Sequence, residues 1–131
     1  MNLILHLKKH WFNLTKDKIK TEDYREINEY WFKRLVFQHK KVYEYCTGFD
    51  WDTDTRRNDR VKHLVVSRQG VFGFKDFRTN TMKLGYPKNG DNERILNLVH
   101  LGIEIGFGKE EWGAEPNTHY FIIKHGTQII G

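Results

Sequence analysis

Apolar residues recur at different periods along this chain, and each change of period marks a change of predicted structure. The opening NLILHL, residues 2–7, is an apolar run of strand length. KKHWFNLT then sets Trp11, Phe12 and Leu14 among polar residues, as a short amphipathic helix does. Residues 16–20 are a polar connection. In TEDYREI, Thr21, Tyr24 and Ile27 favour a strand. Period two places Lys20, Glu22, Tyr24 and Glu26 on one face and Thr21, Asp23, Arg25 and Ile27 on the other, so neither face is apolar throughout. Asn28 is a suitable N-cap, Glu29 suits the positive end of a helix dipole, and Trp31, Leu35, Val42 and Tyr45 recur at helical spacing. One basic helix through about residue 45 is predicted, carrying Lys33, Arg34, Lys40 and Lys41.

The second half reads mainly as strands. TGFDWDTDTRRND, residues 47–59, is polar and without period, a loop before an apolar strand HLVVS. GVFGFKDF is a turn with a short, partly buried segment, and TMKLGY is a strand ended by the turn PKNGDN. ILNLVHLGIEIG alternates over a long reach, with Ile95, Asn97, Val99, Leu101, Ile103 and Ile105 on one parity, and is predicted to be the central strand. FGKEEWGAEPNT is a loop, and HYFIIKHGTQII closes the chain as one strand or a tight hairpin around Gly126. Several strands with helices near the front indicate an α+β class with a curved or barrel-like sheet, in a single domain over residues 1–131.

Composition narrows the function classes. With 38% hydrophobic and 15% aromatic residues, the chain is a folded domain rather than a disordered one. A formal charge of +5 favours an anionic partner, nucleic acid before a membrane surface. Cys46 is the single cysteine, which excludes an internal disulfide and points to a reducing, cytoplasmic setting. The apolar opening is too short for a signal peptide or a membrane span.

Several kinds of chemistry are excluded by spacing. The seven histidines form no zinc-like pattern, so neither a metal nor another cofactor is expected. Asp50, Asp52 and Asp54 begin like a calcium loop, but Thr55 stands where its glycine belongs and Val61 where its glutamate belongs. Gly106 and Gly108 precede no amphipathic helix, and Ser67, the lone serine, sits in no nucleophile motif.

One stretch carries more charge than a core element needs: KTEDYREINEYWFKRL, residues 20–35. Lys20 among Glu22, Asp23 and Glu26, with Tyr24 and Arg25 adjacent, is either a binding or catalytic cleft or a web of salt bridges holding strand to helix. Trp112, beside Gly113, either stacks on a base or plugs the core.

HLKKHWFNL, KTEDYREINEYWFKRL, FGFKDF, GYPKN and GIEIGFGKEEWGAEPNTHYFIIKHG, in that order over about residues 3–37 and 71–130, resemble the small ASCH-domain proteins of the PUA-like superfamily. The resemblance implies a small β-barrel-like sheet flanked by short helices, with a cleft for RNA or a modified nucleoside. Members have been assigned RNA binding, coactivator-associated roles, ribonuclease activity, or hydrolysis of an acyl group from a modified cytidine. By the resemblance, Lys20, Glu22, Tyr24, Arg25 and Glu26 form the cleft motif, with Trp31 and Arg34 on the helix behind. Gly85, Tyr86 and Lys88 correspond to a glycine-tyrosine turn, and Glu104, Trp112, Gly113 and Glu115 to the late segment. The chain departs from the family at three places: Asp23 replaces a threonine of the nucleoside-deacylating members, Lys18 a glycine, and Glu29 a proline at the helix start. About residues 46–70 match poorly and read as an insertion.

The expected function is therefore binding of RNA or a nucleotide, with Lys20, Arg25, Tyr86 and Trp112 defining the cleft and Arg56, Arg57 and Arg60 contacting phosphate. The alternative is a hydrolase on modified nucleosides or RNA, with Lys20 as base or nucleophile activator, Glu22 or Asp23 assisting, and Arg25 or Lys88 steadying developing charge. A protein-interaction module with exposed aromatics as anchors is a third possibility.

Overall fold

The computed structural model describes residues 1–129. Strand β1 (Asn2–Leu7) is followed by helix α1 (Lys9–Lys16), strand β2 (Glu22–Glu26), and helices α2 (Glu29–Leu35), α3 (His39–Thr47) and α4 (Arg57–Ser67). Strands β3 (Thr79–Leu84), β4 (Ile95–Phe107) and β5 (His119–Gln128) complete the chain. The five strands form one curled, mixed half-barrel in the order β1-β3-β4-β5-β2, with β1 parallel to β3 and every other pair antiparallel. Among the described residues, no helix is long and apolar enough to cross a membrane. Ile130, in the closing apolar run, lies outside the described residues.

The curl leaves β1 and β2 as the two edges of the sheet, and side chains rather than a backbone ladder bridge the gap. Arg25 Nη2 donates to the His6 carbonyl at 3.2 Å and Arg34 Nη2 to the Ile4 carbonyl at 3.4 Å. Guanidinium groups thus satisfy carbonyls of an edge that would otherwise be open to pairing with another chain. Leu3, Leu5, Phe12, Phe32, Leu35, Met82, Phe121 and Ile123 fill the space between the inner sheet face and the helices.

Four expectations are corrected. The single helix predicted from residue 29 to about 45 is two, because Val36 turns extended (φ −88°, ψ 129°), bridges Phe74, and is followed by Gln38 with a left-handed backbone (φ 52°). A distant segment competes for that backbone: Phe37 N–H donates to the Gly73 carbonyl and Lys75 N–H to that of Leu35. The break rotates the seam, so Tyr43 is the buried tyrosine of α3 whereas Tyr45 is 80% exposed. HLVVS is the end of α4 and no strand; Val61, Leu64 and Val65, at i, i+3 and i+4, bury one helical face.

β4 is the central strand, as its alternation implies, but its parity changes part-way. Leu96 and Leu98 point into the core, and after register shifts on either side of His100 it is Ile103 and Ile105 that pack there, with Gly102 at φ 129° taking up the irregularity. Finally, Lys20 does not share a face with Glu22, Tyr24 and Glu26. β2 starts only at Glu22, so the two-residue period does not extend back to Lys20, whose side chain folds under α1 to meet Asp23.

Candidate binding cleft at the seam of the half-barrel

The turn after α1 delivers Lys20 to the gap between the edge strands. Ile19 and Lys20 N–H groups both donate to the Leu14 carbonyl, at 3.0 and 3.1 Å, closing the helix end. Lys18 sits there with a left-handed backbone (φ 62°), a conformation that glycine adopts more readily than lysine. Lys20 is consequently 3% exposed, its Nζ 5.8 Å from the Trp11 ring centroid and 5.9 Å from that of Tyr24.

A buried ammonium requires an anionic partner. Lys20 Nζ donates to Asp23 Oδ1, and Asp23 Oδ2 accepts from His125 Nε2 at 2.6 Å. His125 Nδ1 then accepts from Asn80 Nδ2 at 2.7 Å, and Asn80 Oδ1 accepts from His100 Nδ1 at 2.7 Å. Donor and acceptor roles run consistently along the chain of bonds, leaving His125 as the Nε2–H tautomer. Burial raises the Asp23 pKa, but the His125 hydrogen bond and the Lys20 charge outweigh it and bring the carboxyl down to about 2. Asp23 is thus an ionised acceptor. The network holds Lys20 and Asp23 together as a buried ion pair.

Above this pair lies a cleft of about 230 Å³, lined by His6, Leu7 and Lys8 at the end of β1, by Trp11 of α1, and by Lys20, Asp23, Tyr24 and Arg25. Trp112, Gly113 and Tyr120 form the remaining wall. Aromatic contacts hold that wall in place. Tyr24 Oη donates to Glu22 Oε1 at 2.6 Å and accepts from Lys109 N–H at 2.9 Å; burial first, then the Glu22 bond, raises its pKa. Glycines allow the loop this close approach. A Cβ on Gly108 would lie 2.8 Å from the Tyr24 ring, and one on Gly113, which is at φ 97°, 2.9 Å from Trp11. Tyr120 Oη accepts from Glu115 N–H at 2.9 Å, and Lys109 Nζ lies 4.2 Å above the Trp112 ring.

Arg25 crosses the seam with its guanidinium 5.0 Å from the Trp31 ring, and its buried Nε has no hydrogen-bond partner among the described residues. Burial, and after it the Arg34 charge, lowers its pKa while Asp23 opposes both. The cleft therefore combines flat aromatic faces, one buried cation already paired, and a second cation with a donor unused.

Of the residues singled out in the sequence, Lys20, Asp23, Tyr24, Arg25 and Trp112 meet in the cleft. Glu22 stands one bond behind, on Tyr24. Tyr86 is 89% exposed and stacks on His6 at 4.4 Å, outside the lining residues. Arg34 is behind the seam, bonded to Tyr30 Oη at 2.7 Å and 5.1 Å from Trp31. Glu26 faces Lys62 on the surface, Glu104 pairs with Lys124 at 3.0 Å, and the Lys88 and Glu115 side chains are exposed and do not line the cleft. Of the insertion arginines, Arg57 is taken up by Glu29 at 2.7 Å and Arg60 by Asp54 at 2.8 Å. Sequence reasoning missed Lys8, Trp11, Tyr120, His125, Asn80 and His100. A lysine-rich helix start preceding a tryptophan was the one visible signal; the other partners are far away in the chain. In comparisons with protein-family models, curated proteins and solved structures, no match was found.

Proposed function

We propose that this chain is a PUA-like domain of the ASCH kind that binds RNA or a nucleotide, with one base held in the seam cleft. The observation that carries the reading is the pairing of aromatic faces with cations there: Trp11, Trp112, Tyr24 and Tyr120 beside Lys8, Lys20 and Arg25. Bases stack on such faces whatever their sequence, and Lys8 and Arg25 suit phosphate or base carbonyls, while Lys20 is paired with Asp23. At about 230 Å³ the space falls below the ~300–1,000 Å³ of drug-sized pockets, which fits one base or nucleoside better than a larger ligand. The charge of +5 supports an anionic partner as well.

Binding is favoured over hydrolysis by the Lys20–Asp23 pair. A lysine acting as general base needs a free amine, and Asp23, ionised and bonded to both Lys20 and His125, holds the ammonium instead.

Titration of single-stranded RNA oligonucleotides, followed by fluorescence anisotropy at rising salt, tests the reading. Tight binding at low salt that weakens as salt rises is expected. Trp112→Ala should weaken it by about 5- to 150-fold, the equivalent of the ~1–3 kcal/mol of one base–aromatic stack. Absence of binding at low salt, or unchanged binding by Trp112→Ala, would count against the cleft. Release of a product from RNA or an acylated cytidine by the wild type alone, and not by a folded Lys20→Met variant, would establish the catalytic alternative instead.

A further inference from the structure

A second groove, between α3 and α4, shares no lining residue with the seam cleft and encloses about 330 Å³. Arg56, Arg60, Leu64 and Arg68 recur at every fourth position from the N-cap to the C-cap of α4, so three arginines line one side of this segment around Leu64. His63 and Ser67 lie beside them, and Cys46 and Thr47 of α3 face them. Only Asp59 contributes a carboxylate to the lining.

The arginines differ in what holds them. Arg60 is anchored through Nε to Asp54 Oδ2 at 2.8 Å, with its guanidinium 3.6 Å from the Phe49 ring centroid. Arg56 and Arg68 are exposed, and among the described residues neither side chain makes a hydrogen bond or ion pair. At ~1.5 Å per residue the twelve steps from Arg56 to Arg68 cover ~18 Å, too long for one phosphate and suited to several in succession. Planar guanidinium forks at helical repeats are a phosphate-binding arrangement that does not depend on base identity.

We propose that the α3–α4 groove is a sequence-independent site for a phosphodiester chain, separate from the base-binding cleft. The nucleic-acid source of that chain rests on the function proposed above, while the groove's affinity for consecutive phosphates does not.

Cys46, the one cysteine of the chain, lines the groove, so its alkylation by the neutral reagent iodoacetamide reports occupancy. Oligouridylate and inorganic polyphosphate at low salt should each slow the reaction several-fold, and polyglutamate should slow it far less. The double variant Arg56→Gln/Arg68→Gln should lose the protection, and its salt slope for oligouridylate binding should fall by about 1.4, at ~0.7 per phosphate on a single strand. Trp112→Ala should keep the protection, because polyphosphate has no base to stack. Unchanged alkylation with oligouridylate, protection that survives the double substitution, or equal protection by polyglutamate would each overturn the proposal. If Trp112→Ala left oligouridylate binding intact while the double arginine variant abolished it, the cleft reading would fail and the groove would stand.

Discussion

Asp23→Ala is expected to destabilise the protein by about 3–5 kcal/mol, the usual cost of removing one partner from a buried ion pair. The reason is local: Lys20 is 3% exposed and Asp23 3% exposed, so neither charge is reached by bulk water when the other is gone. The variant also leaves His125 Nε2–H without its acceptor. A domain with a total stability of ~5–15 kcal/mol has little margin for such a loss. Urea denaturation measures it, and a double variant Lys20→Met/Asp23→Asn separates the uncompensated charge from the lost packing. Partial recovery in the double variant is expected, because neutral groups of similar size remove the buried ammonium. A loss below about 0.5 kcal/mol in Asp23→Ala, the level of an ordinary surface substitution, would mean that the pair is solvated.

The same carboxylate sets an acid limit. Its folded pKa of about 2 lies below the ordinary 3.8, so the stability it contributes is fully present above 3.8 and is lost as pH falls through about 2. Denaturation midpoints of the wild type should drop over that window. The Asp23→Ala variant, already destabilised, should show a correspondingly shallower drop.

Phe32→Ala is expected to cost about 3–5 kcal/mol, as for other fully buried aromatic residues cut back to alanine. Phe32 is 0% exposed and stacks on Trp51 at 5.9 Å and edge-on to Phe72 at 6.2 Å. Its ring therefore joins α2 to two segments on either side of α4, and a cavity there loosens both contacts together. Thermal or urea unfolding reads the effect. A loss of less than about 1 kcal/mol, far under the range for buried aromatics, would mean that the segment around Trp51 and Phe72 does not close over α2.

Local pattern explains why most of the fold was legible. NLILHL and HYFIIKHGTQ are apolar runs of strand length, and both are strands. Asn28 caps α2 as its residue type implies, its side chain accepting from Trp31 N–H at 2.9 Å. Where the reading failed, a distant partner or an ambiguous run decided. The interruption between α2 and α3 depends on Phe74, far along the chain, and no residue between 35 and 39 announces it. HLVVS is short and β-branched, which fits a strand as well as the end of a buried helix; burial of Val61 one turn earlier settles it as helix. In β4 the alternation is real, but the shifts around His100 exchange its faces.

The site divides in the same way. Charge in a strand that should have been apolar was enough to single out Lys20, Asp23, Tyr24 and Arg25. Their partners were not visible, since His125 is 102 positions from Asp23 and Asn80 is 45 from His125. What separates a salt-bridge web from a cleft is likewise three-dimensional. Lys20 and Asp23 form a buried ion pair, and the space above them is walled by aromatic rings and cations.

The central claim, that a base enters this space, is tested most directly by following the indole N–H signals of the four tryptophans by NMR during an RNA titration. Trp11 and Trp112 line the cleft, whereas Trp51 is 6% exposed in the core and serves as an internal reference. Shifts of the Trp11 and Trp112 signals that saturate with the anisotropy curve, with Trp51 unmoved, are expected. Saturated RNA binding with both cleft signals unmoved would contradict the claim.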